Sequence, residues 1–600
     1  MFAMYTRMKK SSNRWLNVAV IVLAVLVLGP GAAARATDLP PGPEASATVK
    51  QIKVCPDRAP DCSSLKSIAE TVTRGCKTND AKGVALYNFV LLTHYHHPSA
   101  QEDGGIPALK VINCYGWGVC GETSAVLSAL WRQLGWGWRF VCWPGHTTVE
   151  ARYDGRLHYF DPFLKWYIWM PDGKGGWTVA GEEDILKDRK ELWDDAFVFD
   201  QARKVGYRKN DQFVMVNGKA NWQARDYLDC DFWMLKRDKS GKFVGSVPPQ
   251  LSKVGPAEKW GYNHADGNYR GDLDLAPGFA LTNTWDPMPD AWYWKDSKKA
   301  PWHTCNYNDT RNSPGLGLVL EPYMDSRPGR TYGNGILAFA PDFSNPACLK
   351  SFLSAENVKC ADKALAPAEA GKPAVVVVQL ASPYILTKAS GEAAAADKAE
   401  VSVDGGNTFK TIELAGFDDA VKGSLAAQVK LTFQQPLKSL KLQAVVQNNP
   451  CALPYLSPGK NMVTVSVADP KALGDNKLVV TYAYRLGSRS LSFDQICQQG
   501  KRVAEQAGAK WSDKVTCVQK TFTAKDLPAT FEIACPTPKG QYPVYPRMMF
   551  LRREVLAPGA SPLPLPEGAL EAKIGPNDEL ATLPEPLLLG TEPPAAGTVQ

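Results

Sequence analysis

Apolar side chains recur every three or four residues in three stretches near the front of the chain, the spacing that stacks them on one face of an α-helix. The first runs from about Ser67 to Arg74. The second, Lys82 to Tyr95, aligns Val84, Tyr87, Leu91 and Tyr95, and the third, Cys120 to Leu134, aligns Val126, Leu127, Leu130, Trp131 and Leu134 before Gly135 ends it. The period then shortens to that of strands in three runs: Trp138 to Trp143, His146 to Tyr153 and Arg156 to Phe163. Residues 67–198 are therefore expected to form one unit, helices followed by antiparallel strands.

After about Val198 the periodicity is lost among tryptophan, tyrosine, glycine and proline. Residues 199–361 read as a mainly β, loop-rich region. Its tryptophans, among them Trp222, Trp233, Trp260, Trp285, Trp292, Trp294 and Trp302, are expected in a β core rather than stacked on sugars. An Ala/Pro/Lys-rich stretch around Asp362 to Lys372 has the composition of a linker. Strict alternation returns with Val429, Leu431 and Phe433, with Val463, Val465 and Val467, and with Val480, Tyr482 and Tyr484, which predicts a β-sandwich over 372–487. A small segment containing Cys497 and Cys517 fills 488–555. Residues 556–600 hold nine prolines and are expected to be a disordered or extended tail.

Composition changes this picture at the front end. A chain of 600 residues is too long for one core, and 44% hydrophobic with 22% charged residues marks a globular protein rather than a membrane bundle or a disordered chain. Arg7, Lys9, Lys10 and Arg14 precede an apolar run from Trp15 to Leu28, then Gly29-Pro30 and Ala34-Arg35-Ala36, the layout of a cleavable signal peptide over residues 1–36. The apolar run is too short for a membrane span, so no transmembrane helix is expected after cleavage, and the location is periplasmic, secreted or on the cell surface. Those residues carry five basic side chains and no acidic one, so most of the formal charge of +7 leaves with them. No Lys/Arg cluster remains to track a phosphate backbone, which excludes nucleic acid as a partner. Fourteen cysteines in an exported chain predict disulfides, with Cys55, Cys62 and Cys76 stapling a Cys/Pro-rich lead-in at 37–66.

Chemistry concentrates at Gly116-Trp117-Gly118-Val119-Cys120-Gly121-Glu122-Thr123. A thiol in the first turn of a helix sits at the positive end of the backbone dipole, which favours thiolate. Downstream, Asp154-Gly155 is a two-residue hairpin turn that pairs Tyr153 with Arg156, so that paired positions sum to 309. Position 161 then falls opposite 148, and His146 has the parity of Thr148. His146 and Asp161 are thereby diagonal neighbours on one face, where a carboxylate can orient an imidazole that serves a nucleophile.

Gly118-Val119-Cys120, the helix ending at Leu134-Gly135, Gly145-His146, the Asp154-Gly155 turn and Asp161-Pro162 together resemble the transglutaminase-like superfamily of papain-like cysteine enzymes. The match runs from about Val111 to Trp169, with the features of a secreted bacterial-type multidomain protein. The resemblance implies an α+β fold: a papain-like core, with the Cys helix packed on an antiparallel sheet carrying His and Asp, followed by mainly β accessory domains. It implies Cys120 as nucleophile, His146 as general base and acid, and Asp161 as orienting carboxylate; no cofactor or metal is expected. The Cys120 amide is the natural oxyanion donor, with Trp117 the candidate for a second. Eukaryotic cross-linking members place an aromatic residue after the nucleophile where Gly121 stands here. The expectation is therefore a cysteine protease-like hydrolase of peptide or protein amide bonds, ahead of an amine-transferring transglutaminase and of a non-catalytic binder of cell-surface glycan or protein.

Three further motifs carry structural expectations. His94, His96 and His97 close a helix, and adjacent histidines cannot readily share an ion there, so they read as a solvated or cleft-lining helix end. Asp266, Asn268, Asp272 and Asp274 lack EF-hand spacing and read as an acidic turn. Ser402-Val403-Asp404-Gly405-Gly406-Asn407-Thr408-Phe409 resembles the Asp-box, a turn-stabilising and not a catalytic motif.

Overall fold

The computed structural model describes residues 45–96, 102, 106–143, 146–162, 167, 169–187, 269–294, 332–492 and 509–582. The expected signal peptide, most of the Trp-rich region and Cys230, Cys305 and Cys497 lie outside the described residues. No helix among the described residues is long and apolar enough to cross a membrane.

Among the described residues, four helices of six residues or more frame the front of the molecule. Helix α1 spans Leu65–Val72 and starts where the Ser64 side chain accepts the Ser67 amide while the Ser67 hydroxyl binds back. Helix α2, Asn79–Thr93, starts three residues earlier than its apolar period suggests, because Thr78 caps the Ala81 amide. It also ends earlier: Tyr95 has left the helix and pairs, in a two-residue parallel bridge, with Trp117. A π-turn at Val111–Tyr115 closes on Gly116, whose φ of 68° lies in the left-handed region. Helix α3, Cys120–Gln133, buries Val126, Leu127, Leu130 and Trp131 against α1 and α2. Helix α4 is Glu182–Lys187.

Strands β1 (Gly137–Trp143), β2 (His146–Tyr153) and β3 (Arg156–Phe160) form an antiparallel sheet in chain order, and α3 packs on β2. Strand β3 ends at Phe160 with a bridge at Asp161, before Pro162, which has no amide to donate; Phe163, the end that the pattern suggests, lies outside the described residues.

The larger part is β. Strands β4 (Phe279–Thr284), β5 (Gly333–Phe339), β6 (Ile385–Ala393), β7 (Leu440–Asn448), β8 (Lys477–Arg485), β9 (Thr516–Phe522), β10 (Arg547–Leu556) and β11 (Leu570–Glu571) make one eight-stranded sheet in the order β6-β7-β5-β4-β10-β8-β9-β11. All neighbours are antiparallel except β9 and β11. A five-stranded sheet holds Ala374–Ala381 and Ala426–Phe433 at its centre, and Lys53–Pro56 joins Gly459–Ser466 and Ala529–Cys535 in a third. The fold is α+β with large sheets. The alternating residues Val429, Leu431, Phe433, Val463, Val465, Val480, Tyr482 and Tyr484 are all strand residues with buried side chains. The eight-stranded sheet takes strands from each of the segments 199–361, 372–487, 488–555 and 556–600 that composition separates.

Part of the Pro-rich tail is also held. Arg552 Nη2 donates to the Leu563 carbonyl at 2.6 Å and Glu554 accepts the Leu563 amide at 2.9 Å, while the Leu570 amide donates to Val515 O at 2.8 Å. Proline carbonyls accept hydrogen bonds even though proline donates none, so this stretch docks in extended form rather than remaining disordered. Residues 583–600 lie outside the described residues.

The expected staple at the lead-in does not form from Cys55 and Cys62, which are both thiols. Burial pushes Cys55 up to about 12 and Cys62 well above the ordinary thiol value, so both keep their protons.

Candidate active site

Cys120 is the first residue of α3 and is half-buried. Val119 before it is extended, and its amide donates to Glu122 Oε2 at 3.0 Å, so the side chain one turn into the helix folds back over the entry. A Cβ at position 118 would lie 2.9 Å from that same carboxylate oxygen, which explains the glycine two residues ahead of the cysteine. Cys120 stands at the N-terminal end of α3, where unpaired first-turn amides and the helix dipole favour an anionic sulfur or an oxyanion.

Sheet register positions the other two residues. Asp154 and Gly155 have φ of 48° and 79°, the left-handed pair of a type I′ turn. Tyr153 pairs with Arg156 and Val149 with Phe160, the register with the 309 sum. The Thr148 hydroxyl reaches across to Phe160 O at 2.6 Å, one residue before Asp161. His146, the first residue of β2, pairs with Trp143 on the other side. By backbone register, His146 and Asp161 lie on one face as diagonal neighbours. Asp161 is fully buried and accepts the Tyr159 hydroxyl on Oδ2 at 3.1 Å, which fixes its carboxylate plane. The Ser124 hydroxyl, one turn into α3, donates to Thr147 O at 3.4 Å and ties the cysteine helix to the strand beside His146.

Further along the same face of β2 lies a buried charge group. Arg139 Nε meets Glu150 Oε2 at 2.5 Å and its Nη2 lies 3.5 Å from Glu182 Oε2, while Glu150 Oε1 accepts the Glu182 amide at 2.6 Å. Burial first, and the Glu150 charge second, push the Glu182 carboxyl up to about 7; burial raises Glu150 as well, against the pull of Arg139. Two carboxylates share one guanidinium, an arrangement that favours a proton on Glu182.

The loop leading to Cys120 is gripped from far along the chain. Asn449, just beyond β7, donates through Nδ2 to Thr93 O at 2.9 Å and Ile112 O at 2.8 Å, and its backbone amide donates to Asn113 O at 2.8 Å. Gln447 Nε2 donates to Cys114 O at 3.1 Å. A Cβ on Gly116 would lie 2.7 Å from the Asn449 amide group, so close approach and left-handed φ both select glycine there. Trp117 is buried and packs edge-on against Tyr115, with ring centroids 5.2 Å apart.

His94 caps the end of α2, buried, with Nδ1 2.9 Å from the Thr93 hydroxyl; burial lowers it to about 4, so it is neutral at physiological pH. The His96 backbone pairs with Gly118, which brings the end of this histidine run beside the cysteine loop. His97 lies outside the described residues, as do Asp266 and Asn268. Asp272 and Asp274 accept from the Gln51 side chain and backbone at 3.3 Å and 2.7 Å, anchoring the N-terminal lead-in. Among the described residues, no group of three His, Cys, Asp or Glu is arranged to hold a metal ion.

The sequence pattern does not single out Glu122, Ser124, Tyr159, Gln447 or Asn449. Glu122 had a signal, a Glu at the third position of a helix. Tyr159 shares the parity of Asp161 and was legible from the hairpin register. Asn449 had none, since its partners Thr93 and Ile112 are 356 and 337 residues away. No protein-family model matches the chain, and no curated protein or solved structure is significantly similar to it.

Proposed function

We propose that the chain is an exported, transglutaminase-like cysteine hydrolase that cleaves amide bonds of peptide or protein through a thioester on Cys120. The observation that carries this reading is a juxtaposition. A cysteine opens a helix, that helix is tied by Ser124 to the strand starting at His146, and the hairpin register sets Asp161 on the face of that histidine. Such an arrangement suits the papain-like division of labour. The Cys120 thiolate attacks the amide carbonyl, the oxyanion sits at the α3 N-terminus, and His146 protonates the departing amine. His146 then takes a proton from water as it attacks the thioester, releasing the acid and restoring the thiolate beside a protonated imidazole. Asp161, held by Tyr159, keeps the imidazole oriented and supports its charged form.

A thiol-reactive acylating probe on the native protein tests this directly. Labelling of Cys120 that vanishes in Cys120→Ala and falls at least ~100-fold in His146→Ala is the expected result. Absence of labelling at Cys120 in the folded protein overturns it and leaves the scaffold of a binding protein. A glutamine-containing protein offered with a labelled primary amine separates the chemistries: released acid with free amine marks hydrolysis, incorporated label marks transfer.

A further inference from the structure

A pair of thiols away from the candidate site is poised for a covalent change. Cys348 sits in a short 3₁₀ helix, Pro346–Ser351, and Cys360 in the strand Val358–Ala361; their sulfurs are 3.7 Å apart. Both supports are fixed locally. Asn345 caps the helix by accepting the Ala347 amide at 2.9 Å, and Pro346 follows at its first position. The strand pairs with Ala364–Pro367 through a turn at Asp362 and Lys363, whose φ values are 52° and 57°. Between the two cysteines, Asn357 adopts a φ of 53°, accepts the Glu369 amide at 2.8 Å and donates to Lys372 O at 2.9 Å. The intervening eleven residues are thus anchored at both ends and in the middle. The sulfurs are brought together by the fold itself and not by a bond between them.

We propose that Cys348 and Cys360 are a dithiol that closes to a disulfide on exchange with a small-molecule disulfide. Closing the gap to the bond length of about 2.05 Å asks for less than ~2 Å of sulfur movement, within reach of side-chain rotation. The order of events follows from accessibility. Cys360 is half-buried and Cys348 buried, so the oxidant meets Cys360 first. The Cys360 thiolate attacks one sulfur of the oxidant, forming a mixed disulfide and expelling one thiolate, which takes up a proton. Cys348 then loses its proton to solvent and its sulfur attacks that of Cys360, expelling the second thiolate. Two protein thiols are oxidised and one external disulfide is reduced to two thiols. Before the first step, burial and then the neighbouring Cys360 sulfur push Cys348 up to about 12. The second of these contributions disappears once Cys360 is in the mixed disulfide, which eases ionisation of Cys348 while the larger effect of burial remains, and the 3.7 Å approach places its sulfur to act as the resolving thiol. The bond ties the 3₁₀ helix to the hairpin and brackets Ser354–Glu356, the edge strand of the five-stranded sheet.

The test uses the full-length native protein incubated with oxidised glutathione, then unfolded in an alkylating agent and digested with trypsin. Lys350, Lys359 and Lys363 allow trypsin to separate the two cysteines. The expected product is a cross-linked peptide pair joining Cys348 to Cys360, lighter by two hydrogens than its parts, with neither cysteine alkylated. In Cys348→Ser, Cys360 should accumulate as the glutathione adduct. Recovery of both wild-type cysteines alkylated, each with glutathione only, or cross-linked to other cysteines overturns the proposal. The readout is independent of any activity at Cys120.

Discussion

The sheet that carries His146 and the eight-stranded sheet hold their registers in different ways. In the first, three consecutive strands follow one another through short connections, and the β2–β3 register is set by two residues, Asp154 and Gly155, in left-handed conformations. In the second, β5 lies between β4 and β7, and β10 lies between β4 and β8, so neighbours come from nearly three hundred residues of chain. Its register is held by side chains buried between strands. Asn283 Nδ2 donates to Asn448 Oδ1 at 2.9 Å, Arg553 donates to Asn283, and Asn334 Nδ2 bonds Ala291 O and Val446 O at 2.7 and 2.9 Å. A locally specified sheet tolerates loss of distant contacts, whereas a sheet specified at long range depends on buried polar pairs that cost heavily when broken. The candidate site depends on both, because its histidine and carboxylate lie on the first and its cysteine loop is gripped by residues at the end of β7.

The largest expected effect comes from cutting that grip. Asn449→Ala removes the side-chain hydrogen bonds to the Thr93 and Ile112 carbonyls and from the Cys451 amide, which should cost about 4 kcal/mol. Denaturant unfolding measures the loss, and hydrogen exchange should speed up at residues 112–116 while β2 and β3 stay protected. Equal loss of protection in all three would mean that the two sheets do not hold their registers separately.

Glu182 gives the next effect, with a definite pH dependence. Its carboxyl titrates near 7 when folded and near 4.5 when unfolded, so the unfolded chain releases the proton first. The contribution of this group to stability is therefore greatest below about 4.5, falls as pH rises to about 7, and is level above. Glu182→Gln should flatten this slope and raise stability at pH 8 by about 3 kcal/mol, with little change at pH 4, as read by unfolding at both pH values. An unchanged slope would place the neutral-range proton on Glu150 instead.

A smaller effect tests the local turn. Gly155→Val puts a β-branched residue at a φ of 79° and should cost about 2 kcal/mol. The loss should appear as weakened exchange protection across β2 and β3 and leave the eight-stranded sheet unchanged.

The smallest concerns the turn at Asp404, where the carboxylate accepts the Ser402 hydroxyl at 2.6 Å, the Thr408 amide at 2.9 Å and the Thr408 hydroxyl at 2.5 Å, and Ser402 Oγ accepts the Gly406 amide. These bonds from Ser402 and Thr408 hold its carboxyl down at about 2, so the stability they contribute is present above pH 4 and lost as pH falls toward 2. Asp404→Ala should cost about 1 kcal/mol at pH 7 and nothing near pH 2, measured by thermal unfolding at the two values.

The sequence by itself determined the elements around the candidate site. The 3.6-residue period marked α1, α2 and α3, the period of two marked β1 to β3, and Asp154-Gly155 determined that Tyr153 faces Arg156, because each depends on interactions between residues a few positions apart. It also made the Ser402 to Phe409 turn legible, since every bond in it spans four residues or fewer. Only the tertiary structure decided which strands neighbour one another in the eight-stranded sheet, that the Pro-rich stretch after β10 docks on it, and that Asn449 and Gln447 grip the loop before Cys120. Those outcomes depend on which buried donor meets which acceptor across hundreds of residues. An asparagine side chain carries the same two donors and one acceptor in every such setting, so nothing local distinguishes the one that is used.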